Sequence, residues 1–559
     1  DRILMFQEKY HQVERMLRAC TGEEDVLLTI GGDHADIAST VAFKLAKKER
    51  RAPQKIAADI AARLSADPDL GDIRVGAVGP YVNFRFGPSL LSEAVRAAKK
   101  PGYGNLPRRT ERVVLEHTSA NPNGPLHVGH IRNTVIGDTL VRAFRKAGYP
   151  LEAQYYLNDM GRQIAIVSWG FDHLGLARGE GEKADHYVAR VYVAANRAIR
   201  ENPEITEEID RLMQQVERGD AETVRKFRAA VSLCAEGIKA TLAALNARHD
   251  RFVWESDFVR IGDVDRIIER VRRLPQAHED EILWVDLSEQ GFEKKYILRR
   301  SDGTSVYSTR DLAYHTWKAR NFDRMIDILG ADHKLIGAQL RATLELLGEQ
   351  PPDIVYFEFV SLPEGSMSTR AGKFVSADEL IEEVTAKAYD EVTVRRPELP
   401  EGERRAIAGS VAVAAIRYDI VKVSPEKSTV FDWREALNFE RQSGPYIQYA
   451  HARACSILDK AGAVSMPAYH YETEHEVALA RHLARFPVVV EQTVTELRPH
   501  LLASYARELA DLFNAFYHYD PVLKSEGEAR NSRLALVDAV RNTLQESLAT
   551  LGIDALRSM

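Results

Sequence analysis

Apolar positions in the first hundred residues recur mostly at helical spacing. Ile37, Val41 and Leu45, then Ile56, Ile60 and Leu64, predict two helices between residues 36 and 64, with Pro53 near the start of the second. Strand-like runs flank them: Val26 to Ile30, stopped by Gly31-Gly32, and the alternating Tyr81 to Phe86, stopped by Gly87-Pro88. That mixture predicts a small α/β domain. The breaker-rich segment Lys99-Lys100-Pro101-Gly102-Tyr103-Gly104-Asn105 marks its end.

Beyond Arg112 the pattern changes. Val113-Val114-Leu115-Glu116 reads as a strand, a breaker-rich loop follows, and a helix starts near Val128 with Ile131, Val135, Ile136, Leu140 and Phe144 on its apolar face. Gly148-Tyr149-Pro150 stops that helix, and Glu152 to Leu157 supplies the next strand, so the segment is a β-α-β unit of a parallel sheet. Residues 180–250 are helical and charged, an insertion after which strands resume near Trp284-Val285-Asp286 and Ile326 to Gly330. Near the end, Leu479, Leu483 and Phe486, then Leu509, Leu512, Phe513 and Phe516, then Leu534, Val537, Val540 and Leu544 mark successive amphipathic helices.

With 559 residues, the chain has room for three or four domains, and 45% hydrophobic with 28% charged residues excludes a mainly disordered protein. The formal charge of −7 argues against a carpet of basic charge for nonspecific nucleic-acid binding. Cys20, Cys234 and Cys455 are too far apart in sequence for a disulfide framework or a thiolate metal cluster, so no metal site is expected. No apolar run approaches the ~20 residues needed to span a bilayer. The start, Asp1-Arg2-Ile3-Leu4, is no signal peptide and, not being Met, is read as lacking the first residues. A cytoplasmic protein without membrane or DNA partners is expected.

The loop Ser119-Ala120-Asn121-Pro122-Asn123-Gly124-Pro125-Leu126-His127-Val128-Gly129-His130 carries the first candidate chemistry. A strand-loop-helix entry presents unpaired N–H groups and partial positive charge, which suits a polyphosphate, with ATP the natural candidate. His127 and His130 fall on one side of the first helical turn as two possible donors, and Gly129 leaves room for a base or ribose. The alternatives for such a pair are a metal site or helix capping. Neither a cysteine nor a third histidine lies nearby at zinc-ligand spacing.

This motif resembles the HIGH signature of class I aminoacyl-tRNA synthetases, with Val128 in place of isoleucine. The segment Glu364-Gly365-Ser366-Met367-Ser368-Thr369-Arg370-Ala371-Gly372-Lys373 resembles a degenerate form of the class's second signature, KMSKS. It leaves Arg370 and Lys373 as the cations able to follow charge onto pyrophosphate. Further stretches resemble arginyl-tRNA synthetases over nearly the whole chain: Glu116 to Pro122, Tyr156 to Gln163, Val306 to Asp311, Phe431-Asp432-Trp433 and Ser443 to Arg453. Where some members carry a lysine before the first signature, this chain has Gly124.

The resemblance implies an α/β fold: a Rossmann-like parallel-sheet catalytic domain (residues 105–365, with a helical insertion at about 175–255), a small N-terminal α/β domain (1–104) for the tRNA elbow, a second-signature region (366–440), and an all-helical anticodon-binding domain (441–559), named for residues like Asp554-Ala555-Leu556-Arg557. It implies Mg-ATP, L-arginine and the arginine tRNA as substrates of a monomer without an editing domain. His127, His130, Arg370 and Lys373 are its catalytic candidates, joined at ATP by Gly129, Asp332, His333, Met367 and Ser368. For arginine it points to Glu116, Ser119, Asn121, His130, Tyr307, Asp311 and Gln339. The chemistry agrees, because a guanidinium is a planar fork best held by a carboxylate. For Asp311 the alternative is an ion pair with Arg310 or a partner one helical turn away. Other class I members and a noncatalytic tRNA-binding relative are the competing readings.

Residues 441–559 hold 12 Lys+Arg against 14 Asp+Glu, so this end is not a generally basic surface. Ten of those cations are arginine, and Tyr446, Tyr449, His451, Phe516, Tyr517 and Tyr519 offer rings for stacking bases. The resemblance assigns tRNA contacts to Tyr446, Tyr449, Arg453 and Met559.

Overall fold

The computed structural model describes residues 5–31, 34–363, 375–464 and 466–559. They fall into two units, Arg108–Asn438 with Leu497–His500, and Asp1–Pro107 with Phe439–Glu496 and Leu501–Met559.

The first of these units is built on a five-stranded, all-parallel sheet in the order Asp353–Phe357, Arg324–Gly330, Val113–Glu116, Leu151–Leu157, Arg251–Trp254. Val113 to Glu116 are all buried, as a central parallel strand covered on both faces must be. The chain starts in the middle of the sheet, builds outward to one side, and returns to build the other. Val113–Glu116 and Arg324–Gly330 therefore flank the point where strand order reverses, where such sheets open a crevice at their carboxyl ends. The helix Val128–Lys146 rises from that crevice.

The insertion is helical over Ala184–Glu201, Ile205–Glu217 and Ala221–Ala244. Strands do form at both places where the sequence pattern put them, Leu283–Val285 and Arg324–Gly330. The sheet is rejoined earlier, at Arg251–Trp254, while Leu283–Val285 lies in a separate antiparallel sheet with Ala277–Glu279 and Tyr296–Arg299. Strands of three or four residues are too short to reveal from periodicity which sheet they join.

The other unit contains an antiparallel sheet in the order Leu28–Ile30, Ile37–Ser39, Tyr81–Arg85, Arg74–Val78. Ile37 is thus a strand residue paired with Ile30 and Phe84, not the start of a helix. Its four-residue spacing to Val41 and Leu45 joins one strand position to the helix Val41–Glu49, because both face the same core. Helices Met5–Thr21, Pro53–Ser65 and Pro88–Ala98 pack in the same unit, with the helical segments Gly444–Ala461, Glu474–Ala484, Phe486–Glu496, His500–Tyr519 and Gly527–Thr550. The breaker-rich segment is tied into it: the buried Tyr103 hydroxyl donates to the Leu483 carbonyl (2.7 Å), and Asn542 donates to the carbonyls of Ala98 (2.8 Å) and Lys100 (2.7 Å). No helix among the described residues is long and apolar enough to cross a membrane.

Candidate active site

His127 is the N-cap of the helix Val128–Lys146, and the two histidines form a reciprocal capping box. The Gly129 amide donates to His127 Nδ1 (3.1 Å), and the His127 amide donates to His130 Nδ1 (3.1 Å). A backbone amide can only donate, so each Nδ1 is bare and each Nε2 carries the hydrogen. The rings stack at 3.7 Å between centroids. Burial, with a smaller contribution from His127, pushes His130 down to about 3, and burial also lowers His127. Both are neutral donors at physiological pH, held at the positive end of a helix dipole.

The approach to this cap is strained. Thr118 (φ 69°) and Ser119 (φ 44°) are consecutive non-glycine residues in the left-handed region. The Asn133 side chain accepts from the Thr118 amide (2.7 Å), and Ser119 Oγ accepts from the Tyr156 amide (3.0 Å). These bonds turn the chain sharply off the sheet and set Glu116 at the crevice. Asn121 is exposed farther along the loop. A side chain at Gly124 would meet Ala189 Cβ at 3.1 Å, so the insertion helix restricts room for a larger residue there.

Residues 375–377, directly after the second signature, pair with the histidine loop. The Val128 amide donates to the Val375 carbonyl (3.2 Å) and the Ala377 amide to that of Leu126 (2.8 Å). Met367, Ser368, Arg370 and Lys373 themselves lie outside the described residues.

Tyr307–Asn321 forms a helix over the sheet face that carries Glu116. Tyr307 at its start is exposed, and Asp311, one turn on, is largely covered. Arg310 does not pair with Asp311; it is buried against Glu255 and donates to the Ser305 carbonyl (2.9 Å). Glu116, 8% exposed, accepts from the buried Lys318 ammonium (3.1 Å). Burial pushes the Glu116 carboxyl up, with Lys318 opposing it in part. An acid so perturbed at the mouth of a cleft is suited to receive a cation. Gln339 is buried and donates to the Lys294 carbonyl (3.1 Å). Asp332 and His333 stand exposed past Gly330, 3.1 Å apart, and a Cβ at Gly330 would strike the Asp332 carboxylate (2.5 Å).

Among the described residues, two groups of acids and histidine sit at metal-ligand separations, Glu116 with His315 and Asp327, and Asp185 with His186 and Asp378. Each already holds an ammonium: Lys318 bonds both acids of the first, and Lys183 lies 2.8 Å from Asp378 and 3.1 Å from Asp185 in the second.

Comparison with known proteins decides the family. The family model for the class I (R) tRNA synthetase catalytic domain matches residues 93–433, the arginyl tRNA synthetase N terminal domain matches 11–86, and the DALR anticodon binding domain matches 447–559. The arginine–tRNA ligase of Methanoregula boonei is 65% identical over 98% of this chain and 99% of its own, and that of Methanosphaerula palustris 63% identical over 99% and 100%. The chain belongs to the arginyl-tRNA synthetase family. The solved arginyl-tRNA synthetase of Thermus thermophilus superposes with a TM-score of 0.87 at 32% identity, covering 98% of this chain and 99% of that one.

In this family member the DALR segment is held by the helix Gly444–Ala461. Gln448 donates to the Asp554 carbonyl (2.9 Å), and His451 Nδ1 lies 2.7 Å from the Leu556 carbonyl. The candidate anticodon rings sort by exposure. Tyr446, His451 and Phe516 are buried, and the Tyr446 hydroxyl donates to Asp511 (2.7 Å). Tyr449, Tyr517 and Tyr519 are exposed. The Arg453 guanidinium lies over both Tyr449 (5.1 Å) and Tyr517 (4.8 Å) while donating to Asn514 (2.8 Å), and Met559 is half-buried.

Sequence reasoning missed Gln154, Tyr156, Tyr314, His315, Lys318 and Asp327, all buried around Glu116 and Asp311. One signal was available: Asp311, Tyr314, His315 and Lys318 occupy positions i, i+3, i+4 and i+7, a polar stripe on a helix face that ought to be apolar.

Proposed function

We propose that this site couples L-arginine to ATP and passes the product to the arginine tRNA. In the first step an arginine carboxylate oxygen attacks the α-phosphorus of Mg-ATP, forming arginyl-adenylate as the bond to pyrophosphate breaks. In the second, the 2′-hydroxyl of the tRNA's terminal adenosine takes the arginyl group and AMP leaves. The enzyme's task is positioning and charge stabilisation, with no covalent nucleophile needed. His127 and His130 donate through Nε2 to phosphate oxygens, while Gly129, Asp332, His333, Met367 and Ser368 border the nucleotide. Arg370 and Lys373 follow charge onto the pyrophosphate.

Asp311 and Tyr307 take the guanidinium, and Glu116, with Ser119, Asn121, His130 and Gln339, faces the rest of the amino acid. The N-terminal domain contacts the tRNA elbow, and Tyr446, Tyr449, Arg453 and Met559 serve the anticodon. The chain acts as a cytoplasmic monomer.

The observation that carries this reading is that the strand Val113–Glu116, at the reversal of strand order, ends in a buried acid cluster and leads into a helix capped by a neutral histidine pair. It supports catalysis over a noncatalytic tRNA-binding role, because both halves of a joining reaction are built. Steady-state charging kinetics of Asp311→Asn and His127→Ala test it. The first is expected to raise the arginine KM at least ten-fold, and the second to lower kcat by about 10²–10³ as for loss of an oxyanion donor. Wild-type kinetics in both variants would overturn the assignment.

A further inference from the structure

A row of polar residues crosses the sheet through the acid cluster, and apart from Glu116 the two reaction steps do not use it. Asp327, Glu116 and Gln154 are register partners on three adjacent strands, so their side chains leave the same face of the sheet. Over that face lies the polar stripe of the helix Tyr307–Asn321. The two rows interlock. Lys318 Nζ donates to Glu116 (3.1 Å) and Asp327 (2.9 Å), and His315 Nε2 contacts Asp327 (2.5 Å) while its Nδ1 faces the Asp311 carboxylate (3.1 Å). The Tyr314 hydroxyl donates to Gln154 (2.6 Å). Lys318 is wholly buried, and His315 and Asp327 are each 2% exposed.

The charges alternate along this chain: Glu116, Lys318, Asp327, His315, Asp311. Burial and Lys318 push His315 down, but Asp327 and Asp311 outweigh them and lift it to about 10, so it is a cation. Burial pushes Asp327 up, yet Lys318 and His315 hold it below the usual carboxylate range. The other groups facing the chain are the phenols of Tyr156, Tyr296, Tyr307, Tyr314 and Tyr356, while Arg310 is committed to Glu255. Three carboxylates thus meet two cations. Without those cations, neighbouring buried acids would share a proton instead of both ionising. A second observation points to a polar guest: the buried Tyr156 hydroxyl, its ring stacked on Tyr314 at 4.4 Å, has no hydrogen-bond partner among the described residues.

We infer that His315, Lys318 and Asp327 are positioning residues that hold Glu116 and Asp311 in place with one surplus negative charge, so that the pocket selects a cationic guanidine and rejects its neutral urea isostere. The inference rests on the proposal that this pocket takes arginine. None of the three need touch the substrate.

The test is tRNA charging by the full chain with arginine and, in parallel, with citrulline, whose terminal urea is the same shape without the charge. Lys318→Met and His315→Gln are each expected to raise the arginine KM at least ten-fold with the ATP KM changed less than two-fold. They should also narrow the arginine-to-citrulline ratio of kcat/KM at least ten-fold. An unchanged ratio, or KM values for arginine and ATP that rise together, would overturn the relay. Should Lys318→Met fail to fold, as judged by its melting curve, His315→Gln alone decides. Asp311→Asn separates the two levels: if it leaves the arginine KM unchanged, the pocket assignment itself is wrong, whereas a raised KM there with unaffected His315→Gln condemns only the relay.

Discussion

His127 caps its helix through Nδ1 and, in the proposed function, donates to substrate through Nε2, and the two can be separated. Alanine removes both, with a stability cost of about 1 kcal/mol for the lost cap. Asparagine, itself a strong N-cap residue, keeps the cap and removes the donor. His127→Asn is therefore expected to melt near wild type while losing most of its turnover, as read by thermal denaturation and tRNA charging. A melting temperature lowered as far as that of His127→Ala would show that the imidazole is needed structurally.

Charge state gives a second expectation for this pair. His130, at about 3, lies below the ordinary histidine value of about 6.5, so its contribution to stability is complete above pH ~6.5 and is lost as pH falls toward 3. The rate profile should show no His130 inflection between about pH 6 and 8. An inflection there that disappears in His130→Asn would mean the ring is protonated in its working state. The sequence exposed this pair readily, because two histidines three apart after a breaker-rich loop are conspicuous. Capping stood among its alternatives for the pair; what it concealed is the reciprocal bonding and the tautomers, which depend on backbone geometry that spacing does not encode.

At the scale of elements, the histidine helix is tied to the helix Glu401–Val421 by the buried pair Asp138–Arg417, 2.7 Å apart, with Arg142 also on Asp138 (2.8 Å). Burial pushes Asp138 up, but Arg417 and Arg142 outweigh it and bring it to about 2. Its value is depressed, so its stabilisation is present above pH ~4 and disappears as pH falls from about 4 to 2. Arg417→Met should cost up to about 3–5 kcal/mol by leaving the buried Asp138 carboxylate to the part-exposed Arg142 alone. Urea unfolding at pH 7 measures it, and a loss below about 1 kcal/mol would mean that water already reaches the pair. The strand-helix-strand unit around this helix was legible because long apolar periodicities survive in any context. The short strands Arg251–Trp254 and Ile37–Ser39 were not: three or four residues carry too little pattern to separate a strand from a neighbouring helix face.

Across the whole molecule, the domain order followed from motifs, whereas the exposure of individual rings in the helical end did not. Tyr446 and Tyr449 look alike in sequence, yet only Tyr449 is exposed beside Arg453. Base–aromatic stacking is worth about 1–3 kcal/mol per base, so Arg453→Ala, which removes the support between Tyr449 and Tyr517, should raise the tRNA KM about ten-fold and leave the arginine and ATP KM unaltered. Equal shifts in all three would place the effect on folding instead. ATP–pyrophosphate exchange is expected to need tRNA, by the family resemblance; full exchange without tRNA would contradict that dependence.

The most direct test supplies the full chain with total tRNA, Mg-ATP and each of the twenty amino acids in turn, and reads base-labile aminoacyl ester at the tRNA terminus. Arginine alone should be esterified, with lysine, a point charge in place of the planar fork, left uncharged. Esterification of another amino acid at a comparable rate, or none with arginine, would contradict a pocket built to join a guanidine-bearing acid to a nucleotide.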